Sequence, residues 1–300
     1  MTYREMLQLG ISMLQPDSDA EIDARLLLEE AAGLSVSAYL MHEHDEASSE
    51  EEARFLSLIR RRQTHEPIAY ILGSQEFMGL EFQTSPSVLI PRQDTETLVE
   101  LALDLANHAI RKSQPATYRI LDLCSGSGCI GISLGYYLKQ KYPNALIELV
   151  MTDLSPEALA VASENAKNIL GQSGVRVRLL QGDLWEAVPG ETFDLIVSNP
   201  PYVSAADMQT LPSDVADFEP TMALFGGDDG LDFYKALLKE LDVHLNEAGR
   251  AFFEIGEDQG DALKQLSCEV LPHYHFSLYQ DLCHHERVVE FYRKETGDHV

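Results

Sequence analysis

Apolar and polar positions change their spacing twice along the chain, and the changes divide it. Over the first 72 residues the apolar positions recur at helical spacing. The stretch up to Asp19 reads as a helix. Asp19–Ala32 carries Ile22, Leu26, Leu27, Leu28 and Ala31 in an amphipathic pattern that Gly33 stops. Another helix opens at Ser49-Glu50-Glu51-Glu52, with acids in its first turn and Arg60-Arg61-Arg62 in its last, where cations suit the macrodipole. Glu66-Pro67 ends it, because a residue before proline avoids the α region. The three arginines read as the solvated end of that helix.

From about 75 to 91 the spacing shortens. Phe77, Leu80, Phe82, Val88, Leu89 and Ile90 sit among Gly79 and Ser-Pro turns, which predicts a β-hairpin joining two domains. Asp94-Thr95-Glu96 then starts a helix through Leu98, Val99, Leu101, Leu103 and Leu105. From 118 onward strands and helices alternate. Strands are predicted at Arg119–Leu123, Ala145–Thr152, Val175–Gln181, Phe193–Ser198 and Ala251–Ile255, with a final pair near 276–281 and 287–293. Helices are predicted at Gly128–Lys141, Pro156–Leu170, Leu231–Leu245 and Gln259–Leu266. Such alternation implies a mostly parallel sheet with helices on both faces.

Composition narrows the class. The chain has 300 residues, 45% apolar and 24% charged, as soluble globular proteins do. Its apolar runs fall short of the ~18–20 residues of a membrane span, and its N-terminus lacks a basic signal region. It reads as cytoplasmic. Four scattered cysteines do not make a disulfide framework. Lys plus Arg is 22 against 49 for Asp plus Glu, a net charge of −27. Nucleic-acid affinity rests on neutralising phosphates, so this balance argues against DNA or RNA as a direct partner.

Two motifs carry chemistry. Asp122-Leu123-Cys124-Ser125-Gly126-Ser127-Gly128-Cys129-Ile130-Gly131 follows a strand and opens a helix. Its glycines let backbone approach a nucleotide-like ligand closely, without separating a nicotinamide cofactor from S-adenosylmethionine. Asp153 ends the next strand, where an acid takes ribose hydroxyls or caps the following helix. Asn199-Pro200-Pro201-Tyr202 ends the strand Phe193–Ser198. A double proline cannot continue a ladder and leaves carbonyls free. Those carbonyls and the Asn199 oxygen can accept both hydrogens of an NH2 group, while Tyr202 can stack on its flat face. Held so, the nitrogen is favoured in a pyramidal geometry that returns its lone pair toward an incoming methyl.

Together with Ile90-Pro91-Arg92-Gln93-Asp94-Thr95-Glu96, these motifs resemble the bacterial release factor glutamine methyltransferases. Further resemblance lies in Glu66-Pro67-Ile68-Ala69-Tyr70, Leu72-Gly73, Glu76-Phe77, Phe218-Glu219-Pro220, the run from Gly226 to Asp232, and Glu286-Arg287-Val288-Val289. The resemblance implies an α/β, class I (Rossmann-like) methyltransferase with a seven-stranded mostly parallel sheet. It implies a helical substrate-recognition domain at 1–72, a β-hairpin linker at 73–92 and an S-adenosylmethionine-dependent domain at 93–300. The implied reaction moves a methyl group from S-adenosylmethionine to the side-chain N5 of the glutamine in the Gly-Gly-Gln motif of class-1 peptide chain release factors, with the enzyme a monomer.

By position, the implied cofactor contacts are Cys124, Ser125, Gly126, Ser127, Gly128, Asp153, Asp183, Leu184 and Asn199. The catalytic and substrate-binding residues are Asn199, Pro200, Pro201 and Tyr202. Cys124-Ser125 stands where Gly-Thr is commoner, a harmless change where only backbone is used. The aromatic that some members have at Leu184 is here Trp185, one position on. Rival readings are a ribosomal-protein glutamine methyltransferase and an adenine-N6 nucleic-acid methyltransferase. The former fits Arg92–Glu96 less well, and the net charge opposes the latter. His273, His275, Cys283, His284 and His285 match no standard zinc spacing, so no metal is expected. Cys129, at a helix start, is a candidate for a lowered pKa. Glu254 fits either a core-edge acid or the site's rim.

Overall fold

The structure, a computed structural model, describes residues 1–113 and 115–294. Contacts divide the chain into two units, Met1–Ser74 with Pro212–Phe218, and Gln75–Leu211 with everything from Glu219 onward. Residues 295–300, the end of the expected catalytic domain, lie outside the described residues.

The first unit is helical: α1 (Tyr3–Leu14), α2 (Ala20–Ala32), α3 (Val36–His42), α4 (Ser49–Arg62) and α5 (Ile68–Leu72). Local chemistry fixes the ends. Thr2 Oγ1 accepts from the Glu5 N–H at 3.2 Å while the Glu5 carboxylate accepts from the Thr2 N–H at 2.9 Å. Ser48 and Glu51 repeat that reciprocal cap on α4. Met6, Ala24, Leu27, Leu28, Phe55 and Ile59 form the core. Ile22, expected on the apolar stripe, is instead 53% exposed, and Ala24 takes its place. The helix α4 stops at Arg62, short of Glu66-Pro67, because Thr64 Oγ1 donates to the Arg61 carbonyl and His65 turns left-handed at φ 66°. Arg60 is exposed, as the sequence suggested, but Arg61 and Arg62 are paired. Arg61 Nε donates to Glu66 at 2.9 Å, and Arg62, 12% exposed, donates through Nε to Asp23 at 2.6 Å. They tie α4 to the chain around it.

The second unit begins with the hairpin β1 (Ser74–Phe77) and β2 (Leu80–Gln83), whose Phe77 and Phe82 are buried in its core. A 3₁₀ turn at Gln93–Thr95 leads into α6 (Glu96–Ser113). There follow β3 (Tyr118–Leu123), α7 (Cys129–Lys141), β4 (Ile147–Asp153), α8 (Pro156–Leu170), β5 (Arg176–Gln181) and β6 (Phe193–Ser198). After these come α9 (Asp232–His244), β7 (Leu245–Glu254), α10 (Gly260–Val270), β8 (Tyr274–Gln280) and β9 (Glu286–Arg293). Seven strands form one sheet in the order β5-β4-β3-β6-β7-β9-β8. The first five are parallel, while β9 runs antiparallel to both β7 and β8. This is the Rossmann-like, mostly parallel seven-stranded sheet expected of a class I methyltransferase.

Alternate residues on each strand serve opposite faces. Ile120, Leu195, Phe252 and Val288 pack with α6, α7 and α8, while Leu121, Ile196, Phe253 and Val289 pack with α9 and α10. Two covered faces explain why these strands read as nearly continuous apolar runs. Strand β7 starts at Leu245, six residues before the expected Ala251, through the polar stretch Asn246–Arg250.

Candidate active site

Strand order reverses at β3, which lies between β4 and β6. In open parallel sheets, ligands bind at the carboxyl ends of strands at such a switch point. There the second unit holds a cleft of about 340 Å³. Cys124, Ser125, Gly126, Ser127, Asp153, Asp183, Leu184, Asn199 and Pro201 all line it. Gly128, Pro200 and Tyr202 do not.

The floor is the turn from β3 into α7. It needs backbone that most residues avoid: Cys124, Gly126 and Gly128 have φ of 55°, 54° and 79°. A cysteine in the left-handed region costs on the order of 1 kcal/mol, so the Cys124 departure is not strictly neutral to the backbone. At Gly128 a Cβ would lie 2.8 Å from Ile132 Cδ1, so that glycine serves packing beneath the cleft. Asp153 ties the floor to the wall: its Oδ2 accepts from Gly126 N–H and its Oδ1 from Ser155 N–H, both at 2.9 Å. Burial raises its pKa, against the pull of those backbone donors. Asp122 is fully buried under the turn and accepts from Gly131 N–H at 2.9 Å. Burial pushes it up to about 7.

Leu184 faces the cleft. Trp185 is 5% exposed, stacks on His244 with centroids 4.5 Å apart and donates through Nε1 to the Ala236 carbonyl at 3.2 Å. Its ring belongs to the core beneath α9.

Asn199 stands at the end of β6, half-buried, and its Nδ2 donates to Thr95 Oγ1 at 3.3 Å. That leaves Oδ1 as the side chain's acceptor. The following backbone is braced from below. A Cβ on Gly226 would lie 2.7 Å from both the Pro201 carbonyl oxygen and Tyr202 Cα. Gln259 Nε2 donates to the Tyr202 and Gly230 carbonyls at 3.1 and 3.2 Å, and its Oε1 accepts from Gly256 N–H at 2.9 Å. The Tyr202 side chain packs against the core on the α9 side of the sheet.

Sequence reasoning left several lining residues unassigned. Ser87–Arg92 forms one wall, with Met222 and Phe233 on others. Arg92 pairs with the buried Glu219, whose Oε2 also accepts from Ile90 N–H at 3.1 Å, so one carboxylate holds the C-terminal half of the wall segment. Glu254, undecided from sequence, is 1% exposed, and burial pushes it up to about 7 while Thr95, Arg287 and Asn199 oppose the shift. Cys129 goes the other way from its expectation: burial pushes its thiol up to about 12, so it is no thiolate nucleophile. Of the histidines near the C-terminal strands, His273 Nε2 meets Asp242 at 3.2 Å and His285 Nδ1 meets Glu257 at 3.5 Å. Among the described residues no group of three His, Cys, Asp or Glu comes together that could hold a metal ion.

Comparisons with known proteins fall on the same two parts. Residues 5–73 match the PrmC N-terminal domain and residues 101–213 the methyltransferase small domain. A release factor glutamine methyltransferase of Moorella thermoacetica is 40% identical over 297 residues, spanning 98% of this chain and all of that protein. One of Geobacter sulfurreducens is 40% identical over 245 residues, 82% of this chain and 80% of that protein. Among solved structures, the hMettl16 catalytic domain in complex with MAT2A 3′UTR hairpin 1 superposes with a TM-score of 0.56 at 13% identity, covering 94% of this chain and 93% of that one. That likeness bears on the fold alone. The extent and identity of the sequence matches establish that the chain belongs to the release factor glutamine methyltransferase family.

Proposed function

We propose that this protein transfers a methyl group from S-adenosylmethionine to the side-chain N5 of the glutamine in the Gly-Gly-Gln motif of class-1 release factors, as a monomer in the cytoplasm. The observation that carries this reading is the Asn199 amide in the cleft wall, its nitrogen end held by Thr95 and its oxygen left as an acceptor. The cleft suits the donor. Ser125 lines it with a buried Oγ that lacks a hydrogen-bond partner, Asp153 supplies a carboxylate, and Ile130, Leu154, Leu184 and Phe233 supply apolar wall. Cys124–Ser127 and Asp153 would hold its polar parts, with Asp183-Leu184 beside its base. When bound, it supplies an activated methyl on a cationic sulfur.

The chain's own part is to hold the acceptor nitrogen. Asn199 Oδ1 and the Pro200 carbonyl each accept one N–H of the substrate amide. Fixing both N–H bonds orients the nitrogen, and positioned dipoles stabilise the charge that develops on it. No side-chain base is required while the N–C bond forms and the C–S bond breaks; the methylated, cationic amide then gives up one N–H proton to solvent. The helical domain holds the protein substrate. Its α3 leaves Val36, Leu40 and Met41 exposed by 47%, 66% and 73%, apolar surface suited to a protein partner.

The direct test offers tritiated methyl donor to purified release factor, to ribosomal protein and to DNA. Label should appear in the release factor, on one glutamine; label in DNA or ribosomal protein alone would replace this reading. A Leu40→Asp, Met41→Asp double variant should raise KM for release factor about tenfold, with turnover and donor affinity little changed. An unchanged KM removes α3 from recognition.

A further inference from the structure

Strands β6 and β7 run parallel with Ser198 opposite Phe253. One residue on, Asn199 and Glu254 stand side by side at the carboxyl edge of the sheet. The Glu254 side chain is buried, its Oε2 has no hydrogen-bond partner, and its main-chain carbonyl is anchored by the Tyr234 hydroxyl at 2.6 Å. A buried carboxyl group with an unmet acceptor is costly to keep. Its polar neighbours are informative: the Thr95 hydroxyl and the Asn199 side chain both favour its anion, and Asn199 Nδ2 also donates to Thr95 Oγ1.

We propose that Glu254 is a positioning residue for the methyl transfer described above, its carboxylate fixing which end of the Asn199 amide faces the substrate. The proposal rests on that functional reading. An asparagine amide has nearly the same shape either way round. Turned over, it would present Nδ2 to the substrate's own NH2, donor against donor. A carboxylate only accepts hydrogen bonds, whereas a hydroxyl does both. Glu254 therefore draws Nδ2 and repels Oδ1. A Thr95 proton turned toward that carboxylate would leave a Thr95 lone pair for Nδ2, which donates to Thr95 Oγ1 at 3.3 Å. Both effects point Oδ1 at the cleft.

Protonation of Glu254 adds a donor and weakens that discrimination. The other groups facing it are Arg287 from β9, Asp94 from the turn before α6, Tyr202 after β6, Tyr234 on α9 and Cys129 on α7. The tyrosines and the thiol are held neutral by raised pKa values. Arg287, its pKa raised, stays cationic and offsets the anion without switching.

The experiment has two arms. In the first, the side-chain amide resonances of nitrogen-15-labelled Asn199, identified by their loss in Asn199→Ala, are followed from about pH 5.5 to 8.5. They should shift through one transition in the parental protein and lose it in Glu254→Gln. In the second, methylation of purified release factor is measured at saturating S-adenosylmethionine. Glu254→Leu should lower kcat by about 10–100-fold with KM for release factor within about twofold. Glu254→Gln, which keeps an acceptor, should rescue most of that loss at neutral pH and remove the fall toward acid. Thr95→Val supplies an independent variant should Glu254→Leu fail to fold; it should lower kcat in the same way. Asn199 resonances that titrate identically in Glu254→Gln overturn the proposal, as does parental kcat in Glu254→Leu or, where that variant does not fold, in Thr95→Val. A parental protein that leaves release factor unmethylated sinks the functional reading instead, and the resonance arm still decides the role of Glu254.

Discussion

An amide side chain takes up no proton at neutral pH, so Asn199 has only its geometry to offer. Its Nδ2 is occupied by Thr95, and Oδ1 is what a substrate N–H can use. Asn199→Ala removes one of two acceptors around the reacting nitrogen, a loss comparable to one oxyanion-hole partner. Turnover should fall by about 10²–10³ at saturating donor. Donor affinity measured by calorimetry should change far less, because most of the predicted donor contacts sit on Cys124–Gly128 and Asp153. Asn199→Asp separates shape from charge. It keeps two acceptor oxygens but sets a second carboxylate beside Glu254, already pushed up to about 7 by burial. Like charges there raise each other's pKa. The variant should exceed Ala in rate yet stay below the parent, with its pH profile displaced upward. Parental turnover in Asn199→Ala would leave catalysis to the Pro200–Tyr202 backbone alone.

Elements place that residue, and their legibility varied for physical reasons. Strands such as β3 and β6 are short apolar runs between turn residues, buried on both faces, so their pattern was plain. The helices α3 and α5 are too short, at 7 and 5 residues, to display a period. The first half of β7 was obscured by Asn246, Glu247 and Gly249, polar or small residues within a strand. The glycine turn and Asn199–Tyr202 are each contiguous, hence readable. Thr95, Met222, Phe233 and Glu254 reach the site only because the sheet brings distant segments together. Gly226 was legible only as part of a resemblance; its cause is that the backbone below the Pro201 carbonyl leaves no space for a Cβ. Both close atoms are backbone, so Gly226→Ala must displace one strand-end segment or the other. A shift of about 1 Å at a reacting group costs on the order of 10² in rate. The variant should lose turnover on that scale while binding donor nearly as the parent does. A crystal structure of it with Pro201 and Tyr202 unmoved, or full activity, would dismiss this bracing role.

Across the whole molecule, buried acids and a large negative charge act on stability in the same direction. Asp122 and Glu254 are both pushed up to about 7 by burial, whereas unfolded carboxyls titrate near ~4. Between those values the folded chain holds protons that the unfolded chain has released. Their stabilising contribution is therefore complete below about pH 4 and is lost as pH rises through about 7. Glu191 has the opposite sign: Arg178 and Arg119 hold it down to about 2, so its contribution is present at neutral pH and is lost as pH falls toward 2. The formal net charge of −27 at pH 7 adds self-repulsion that grows as the chain becomes more negative with rising pH. Thermal stability should thus peak between about pH 4.5 and 6 and decline toward pH 8. Salt separates the two causes. Added sodium chloride screens surface repulsion, since the Debye length shrinks from about 10 Å at 0.1 M to about 3 Å at 1 M, but it reaches buried groups poorly. Salt should lift Tm at pH 8 without removing its slope against pH. Asp122→Asn keeps an acceptor for Gly131 N–H and deletes the titration, so it should flatten that slope at every salt concentration. Melting curves over pH 5–8 that run parallel in parent and Asp122→Asn would show that Asp122 does not titrate in this range, and would leave Glu254 and surface charge to explain the decline.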